Sequence, residues 1–269
     1  MKREIFNYSI EEVAPLIDWS YFLHAWGIAG KKESTQAKEV IADAKAMLHE
    51  LSGRYRTNAI FALCNAKGDG DNIIIEGSTL PLLRQQHSTE GEYNLCLSDF
   101  VSPHGDRIGL FATSVESGFG KEYADDDYKR LIMQTLADRL AEATATLLHK
   151  QVRTNEELWG YSPHEQLTTE ELLVERNRGI RPAVGYPSLP DQSIIFTIDK
   201  LLGLGEAGIA LTPNGAMTPH ASVCGLMIHH PAARYFAIGK IDDVQLHDYA
   251  RRRGVEPEAI IKFLAKNIG

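Results

Sequence analysis

The sequence predicts an α+β fold: a mainly antiparallel, twisted sheet flanked by helices. Patterns typical of β-hairpins stand beside long helical patterns, and the regular strand–helix–strand alternation of a parallel sheet is missing from the sequence. Of the 269 residues, 43% are hydrophobic, which is enough to build a sizeable core. Because no Pro/Ser-rich linker or charged run divides the chain, we expect residues 1–269 to form one domain.

Two long helices are predicted from apolar residues that recur at spacings of three and four. The first covers residues 34–51, where Val40 and Ala44 lie on one face and Gly53 follows as a stop signal. The second covers residues 126–152. Acidic residues at its start lie at the positive end of the helix dipole, which they stabilise.

Three shorter helices are predicted from signals at their ends. Residues 168–171 have the spacing of a capping box, which indicates a helix running toward Glu175. Near the end of the sequence, residues 242–245 open a helix that Gly254 closes, and a last helix begins at Pro257.

Strands are predicted in three places. Residues 58–63 and 72–77 flank a turn rich in Gly and Asp, which indicates a β-hairpin. Residues 107–113 form a further strand. Residues 221–229 and 234–241 bracket a His-Pro turn and are interpreted as a second hairpin.

The composition argues against several classes of protein. A net charge of −8 and a pI near 5.7 are unlike those of a sequence-independent nucleic-acid binder, which needs a basic face. No apolar run approaches the roughly 20 residues that span a bilayer, so no membrane association is expected. The first residues lack the pattern of a secretion signal, so a cytoplasmic location is expected.

Cysteine and histidine positions give no metal-site pattern. Cys64, Cys96 and Cys224 are far apart, with no CxxC spacing, so we expect reduced, partly buried thiols rather than disulfides or structural zinc. His229 and His230 are adjacent, and adjacent residues of a strand point to opposite faces of its sheet. They cannot easily share one ion, and no metal is expected.

The most unusual segment of the chain is residues 179–190, which hold three prolines and two glycines. Proline fixes φ and glycine permits turns, so the segment forms a stiff irregular loop. Arg181 and Tyr186 in such a loop suit recognition of a small ligand through its carboxylate and a flat surface. From these residues alone, an ordinary structural loop is the stronger alternative.

This segment also carries a resemblance to a known family. Residues 181–187, followed by Pro190 and Asp191, resemble the RPAxGYPxxPD signature of the activation domain of cobalamin-dependent methionine synthase. Other segments resemble the same family in matching order and spacing: residues 17–19, Trp26, residues 29–31, 99–101, 108–109, 136–143, 159–161, 216–217, 221–223 and 248–252. The resemblance runs from about residue 17 to the end of the sequence.

The resemblance implies a function in cofactor repair. Members of the family bind S-adenosylmethionine beside a corrinoid. When cob(I)alamin is oxidised to cob(II)alamin, this methyl donor and an electron from a flavodoxin-type protein restore methylcobalamin. One-electron reduction is unfavourable, and the nearly irreversible methyl transfer drives it forward. The protein's task is then mainly to orient the methyl group toward cobalt.

The resemblance also assigns contacts to S-adenosylmethionine. Arg181 matches the family arginine that contacts the ligand and can grip its carboxylate as a fork. Asp18 matches an acidic contact suited to the ammonium group, although without the resemblance it would be interpreted as a helix N-cap or surface carboxylate. The Tyr235–Phe236 pair can stack on adenine or favour the sulfonium. Tyr186 is expected near the reacting methyl group.

Four more positions complete the expected site. Ala183 and Gly185 belong to the signature, and Gly185 is expected to let the backbone approach the ligand. Glu142 and Glu175 match two acidic positions of the family close to the site. A solvated surface glutamate would give the same local pattern as Glu142, and this alternative stays open.

The sequence departs from the family in ways that limit its activity. The family usually continues PxxPDHTEK. Here Asp191 is followed by residues 192–196, in which the histidine, glutamate and lysine of that pattern are missing, and Val184 replaces a common proline. The chain has neither a DxHxxG cobalamin-binding motif nor the length for folate and homocysteine barrels. It is therefore not expected to make methionine alone, and cobalamin must come from a partner chain or module.

Three functions of different class follow. The first is an activation module that serves methionine synthase. The second is a reactivation module for another corrinoid methyltransferase. The third is a non-catalytic domain that binds S-adenosylmethionine, or nothing, and acts through protein contacts.

Overall fold

The computed structural model describes residues 1–28, 30, 34–87 and 93–268, so Ala29 and Lys31 of the family resemblance lie outside the described residues. The strands within this part are β1 (Lys2–Ser9), β2 (Arg56–Asp69), β3 (Asn72–Ile75), β4 (Ser78–Pro81), β5 (Asp106–Val115), β6 (Ala210–Leu211), β7 (Met217–Thr218) and β8 (Ser222–Met227). The helices are α1 (Ile10–Val13), α2 (Trp19–Ala25), α3 (Thr35–Leu51), α4 (Asp127–Thr154), α5 (Thr169–Leu173), α6 (Ile195–Leu202), α7 (Asp243–Arg253) and α8 (Pro257–Leu264).

The predicted α+β class with an antiparallel sheet is confirmed. The main sheet has the order β4-β3-β2-β5-β8, and every pairing in it is antiparallel. The long strand β2 pairs with β5 along one edge. Its other edge is shared by β1, over residues 56–63, and β3, over residues 66–69.

The sheet separates two apolar cores because alternate residues of a strand point to opposite faces. Phe61 faces Phe111 across the β2–β5 pair, and both belong to the core that contains the buried faces of α3 and α4. Their neighbours Ile60 and Ala112 face each other in the second core, which α6 covers. Helix α4 contacts β2, β5 and β8, so it lies across the sheet as the main support of the first core.

Both long helices form where their sequence patterns predict them. Ser34 caps α3 by accepting a hydrogen bond from the backbone N–H of Ala37. Asp126 caps α4 in the same way, accepting from the N–H of Lys129. Each cap satisfies a backbone donor that the first turn of a helix leaves free, which fixes where the helix starts.

The shorter predicted helices are confirmed as well. Thr168 and Glu171 form the reciprocal hydrogen bonds of a capping box at α5, which ends before it reaches Glu175. Asp242 caps α7, and Gly254 ends it with a left-handed φ of 68°. Helix α8 begins at the predicted proline.

The first predicted hairpin is confirmed with a tighter turn. The strand continues through Asp69, which pairs with Asn72, so only Gly70 and Asp71 form the connection. The predicted strand over residues 107–113 is β5. Strand β1 was not predicted.

The second predicted hairpin, over residues 221–229 and 234–241, is wrong. Residues 222–227 form β8, but residues 234–240 have no regular secondary structure. The outer edge of β8 is instead occupied by residues 180–184, whose backbone groups exchange hydrogen bonds with Cys224, Leu226 and Ile228. The competing partner of β8 comes from a distant part of the sequence, which a local pattern cannot reveal.

The remaining structural findings concern the cysteines, metal sites and membrane spans. Cys64, Cys96 and Cys224 are buried and unpaired by disulfides. Within the described ranges, no group of three or more His, Cys, Asp or Glu side chains is arranged to hold a metal ion. None of the helices in those ranges is long and apolar enough to cross a membrane.

Candidate functional site

A groove with a volume of about 650 Å³ lies between α4, α5, the start of α2 and the irregular loop of residues 179–190, hereafter the signature loop. Eight of the nine residues expected at the ligand site line it: Asp18, Glu142, Glu175, Arg181, Ala183, Tyr186, Tyr235 and Phe236. They come from five separate parts of the sequence, and the fold brings them to one surface.

The signature loop is held in place by β8. The N–H of Val184 donates to the carbonyl of Cys224 at 2.8 Å, and the N–H of Leu226 donates to the carbonyl of Pro182 at 3.0 Å. A Cβ on Gly225 would lie 2.2 Å from the Pro182 carbonyl oxygen, so only glycine permits this approach. The loop is therefore fastened to the sheet like an added strand, with Arg181 directed into the groove.

Gly185 is the one expected residue that does not line the groove. It has a left-handed φ of 85° within a tight turn, in which its N–H donates to the carbonyl of Leu189 at 2.8 Å. A Cβ at this position would lie 2.6 Å from the side-chain oxygen of Gln192. The geometry assigns Gly185 to the turn that presents Tyr186.

Arg181 is the centre of the groove's polar contacts. Its Nη1 donates to Glu142 at 3.3 Å, its Nη2 donates to the hydroxyl of Thr146 at 3.0 Å, and Glu175 lies 3.9 Å from Nη2. Burial by itself lowers the pKa of Arg181, but electrostatic interactions with Tyr235, Glu142 and Glu175 outweigh it and raise that pKa above its ordinary value. The guanidinium therefore stays charged and held in one orientation.

Glu142 also contacts the signature loop through Tyr186, whose hydroxyl donates to the glutamate. Burial, and then the charge of Glu142, raise the pKa of Tyr186, so its hydroxyl remains a donor at physiological pH. Glu142 faces the loop because residues 139, 142, 143 and 146 recur at spacings of three and four on one face of α4. The surface-glutamate alternative for Glu142 is not what the structure shows.

Tyr235 and Phe236 lie on the irregular segment that replaces the expected strand. The Tyr235 hydroxyl accepts a hydrogen bond from the backbone N–H of Arg181 at 3.0 Å, while the residue as a whole remains 40% exposed. The N–H of Ile238 donates to the carbonyl of Pro187 at 2.9 Å. The segment is thus attached to the signature loop at Arg181 and at Pro187, and its aromatic residues border the groove.

Asp18 serves as a helix cap and also lines the groove. Its Oδ1 accepts from the backbone N–H groups of Ser20 at 2.7 Å and Tyr21 at 3.4 Å, which starts α2. Its other carboxylate oxygen accepts no hydrogen bond from any residue that the structure describes. The capping and ligand-binding interpretations are therefore compatible.

Glu175 has a backbone conformation that normally selects glycine. It follows α5 with a φ of 53°, and the N–H groups of Glu175 and Arg176 donate to the carbonyls of Leu172 and Glu171. These two bonds form a Schellman motif, whose left-handed position is usually glycine. A non-glycine residue there costs about 1–2 kcal/mol. This backbone places the Glu175 carboxylate near Arg181.

Other residues that line the groove were not assigned to the ligand site from the sequence. Thr146 binds Arg181, and Arg139 lies with its guanidinium carbon 5.9 Å from the ring centre of Tyr21. Arg139 makes no hydrogen bond or ion pair with any part of the chain that the structure describes. The helical spacing of Arg139 and Thr146 relative to Glu142 is a signal that could have identified them.

Comparison with known proteins decides the family. The profile of the family described as "Vitamin B12 dependent methionine synthase, activation domain" matches residues 9–254. The chain belongs to this family. The activation domain fold is also seen in a solved structure described as the MetH reactivation domain bound to AdoHcy. The two chains are 36% identical, the match covers 100% of this chain and 91% of the other, and the TM-score is 0.91.

Proposed function

We propose that this activation domain binds S-adenosylmethionine in the groove and presents its methyl group to cobalamin carried by another chain or module. The observation that carries the proposal is the convergence of eight expected ligand contacts on one groove. It is supported by the solved relative, whose description names AdoHcy, the demethylated form of the same ligand.

The charge of the groove suits the proposed ligand. Three carboxylates line it, from Asp18, Glu142 and Glu175, together with two guanidinium groups, from Arg139 and Arg181, which leaves a formal charge of −1. S-adenosylmethionine carries a sulfonium, an ammonium and a carboxylate, for a formal charge of +1. Complementary charge of this kind favours the methyl donor over its neutral product.

The contacts also leave suitable groups for each end of the ligand. A guanidinium has five N–H donors, and Arg181 uses only two of them on Glu142 and Thr146. The remaining donors can bind the ligand carboxylate, and the second oxygen of Asp18 can accept from the ammonium. The exposed face of Tyr235 can stack on adenine.

The same arrangement suits methyl presentation. Tyr186 and Glu142 are joined by a hydrogen bond, so one carboxylate can stabilise the sulfonium while the phenol borders the methyl group. Tyr21, Val174 and Tyr186 line the groove and are 64%, 66% and 48% exposed. These exposed residues leave a side by which a corrin ring on a partner can approach. Bound cobalamin would supply the methyl-accepting cobalt, and this chain's residues would orient the donor.

The decisive experiment is reductive methylation in trans. A methionine synthase fragment without its own activation domain, loaded with cob(II)alamin, is mixed with reduced flavodoxin and methyl-labelled S-adenosylmethionine. We expect label on cobalamin only when this chain is added. Transfer confined to a different corrinoid protein would favour the second function. Binding without transfer to any corrinoid protein would favour an interaction domain.

We also propose that residues 1–269 act as one domain. Strands β2, β5 and β8 contribute residues to both cores, so neither core can form without the sheet they share. A single cooperative transition in thermal unfolding is expected, and two separate transitions would contradict it.

Glu175→Gly is expected to stabilise the fold and to weaken ligand binding. Relief of the left-handed strain should raise the free energy of unfolding by about 0.5–1 kcal/mol, after the entropy that glycine adds to the unfolded chain. Loss of the carboxylate beside Arg181 should weaken S-adenosylmethionine binding in calorimetric titration. The matched control is Glu76→Gly, at another non-glycine position with positive φ, which lies outside the groove and should leave binding unchanged. Equal affinity in the Glu175 variant would separate Glu175 from the site.

Glu142→Gln is expected to reduce the preference for S-adenosylmethionine over AdoHcy. The variant binds both ligands more weakly to the extent that Glu142 orients Arg181. Only S-adenosylmethionine also loses the attraction between the carboxylate and its sulfonium. A partly exposed charge pair is worth up to about 1 kcal/mol, which corresponds to roughly fivefold in the ratio of the two dissociation constants. Titration of both ligands gives the ratio directly, and an unchanged ratio would place the sulfonium away from Glu142.

A further inference from the structure

A buried carboxylate fixes the point where the signature loop ends. Asp191 follows Pro190 and is only 1% exposed. Its Oδ1 accepts from the N–H and the hydroxyl of Ser193 at 2.8 and 2.7 Å. Its Oδ2 accepts from the hydroxyl of Tyr249 at 2.7 Å. A buried charge is stable only with such partners, so this end of the loop depends on them.

Helix α7 supplies one of those partners, Tyr249, and places a second side chain, Arg253, beside the same carboxylate. Tyr249 is fully buried, and burial first and Asp191 second raise its pKa well above the ordinary value, so its hydroxyl stays a donor. Arg253 lies 3.9 Å from the second oxygen of Asp191 and donates to Ser193 at 2.9 Å. The same tyrosine ring packs beneath the guanidinium groups of Arg252 and Arg253, at 5.6 and 6.0 Å.

The segment that carries Tyr235 leads directly into the same helix. Residues 235–241 end at Asp242, the cap of α7. The side-chain amide of Gln85 donates to the carbonyl of Ala237 at 2.8 Å, and Ile238 donates to Pro187 in the signature loop. Ile238 and Ile241 of this segment share one apolar cluster with Tyr249 of α7. Helix α7 therefore contacts both the end of the signature loop and the segment that carries Tyr235.

We propose that Tyr249 and Arg253 are positioning residues for methyl-donor binding, which act through Asp191 to set the signature loop against the Tyr235–Phe236 segment. Neither side chain lines the groove. Their effect passes through the backbone between Asp191 and Tyr186, which carries the tyrosine and fixes its reach to Glu142. The inference rests on the proposed function, because it explains how the proposed site is kept in shape.

The test is Tyr249→Phe, which keeps the ring and removes only the hydroxyl. AdoHcy is titrated by calorimetry at a temperature where wild type and variant are both fully folded, as judged by circular dichroism. We expect the dissociation constant to rise about tenfold, as for loss of a hydrogen bond to a buried carboxylate. A purely structural role would lower the melting temperature and leave this dissociation constant unchanged, which would overturn the proposal.

The matched control is Tyr8→Phe. Tyr8 is likewise buried, and its hydroxyl donates to the side chain of Gln151 at 2.6 Å, away from the groove. We expect this variant to lose stability and keep its AdoHcy affinity. A double variant with Asp191→Asn and Tyr249→Phe should bind AdoHcy with about the dissociation constant of whichever single variant binds it less tightly, since both changes act through one contact. Losses of binding free energy that add up in the double variant would overturn the proposal. If wild type binds no AdoHcy, the proposed function itself fails, and this inference fails with it.

Discussion

Arg181→Lys is expected to weaken binding of S-adenosylmethionine by about 10- to 100-fold, although it conserves the charge. The guanidinium donates to Glu142 and Thr146 with separate nitrogens and keeps further donors for a carboxylate. A lysine ammonium is a point charge that cannot reproduce this fork. Hydrogen bonds to charged groups contribute roughly 1.5–3 kcal/mol each, and each 1.4 kcal/mol corresponds to a tenfold change in affinity.

Calorimetric titration with S-adenosylmethionine and with AdoHcy checks the Arg181 prediction. Arg178→Lys is the matched control. Arg178 immediately precedes the signature loop and donates to the carbonyl of His229, away from the groove. We expect the control to bind as wild type does. Equal affinity for Arg181→Lys would remove Arg181 from the site, whatever the family of the chain.

Gly225→Ala is expected to disrupt the site by pushing the signature loop away from β8. The new methyl group would lie 2.2 Å from the carbonyl oxygen of Pro182 and 2.8 Å from the Cα of Ala183, both of them backbone atoms that cannot rotate away. The loop must shift, which costs about 1–3 kcal/mol of stability by overpacking. Displacement of Arg181 and Ala183 should also abolish measurable ligand binding.

Thermal unfolding and ligand titration together test the Gly225 prediction. The control is Gly205→Ala, because a Cβ at Gly205 meets no heavy atom within 4 Å and the backbone there needs no positive φ. It should leave both stability and binding near wild type. Normal binding by Gly225→Ala would mean that the loop position against β8 does not define the site.

The sequence was informative wherever structure is decided locally. Caps at Ser34, Asp126 and Asp242 satisfy the free donors of a helix start within three residues, so their patterns are sufficient. The second hairpin was mispredicted because residues 180–184 compete for the edge of β8, and that competition depends on distant backbone. Strand β1 was missed for a similar reason, since it gains its hydrogen bonds from β2.

The candidate site shows the same limit more sharply. No spacing rule joins Asp18, Arg181 and Tyr235, and the resemblance to a family supplied them. The orientation of Glu142 is set by Arg181 and Tyr186, far away in the sequence, so a local pattern could not separate it from a surface glutamate. Gly185 was expected at the ligand, whereas the geometry assigns it to the turn beside Gln192.

A crystal structure of this chain with AdoHcy is the most direct test of the proposed ligand site. We expect one ligand in the groove, with its amino-acid end between Asp18 and Arg181 and its adenine against Tyr235. A second cavity of about 590 Å³, lined in part by Phe119, Met133 and Pro219, offers an alternative place for a ligand of this size. AdoHcy bound there, or anywhere without contact to Arg181, would show that the groove is not the ligand site.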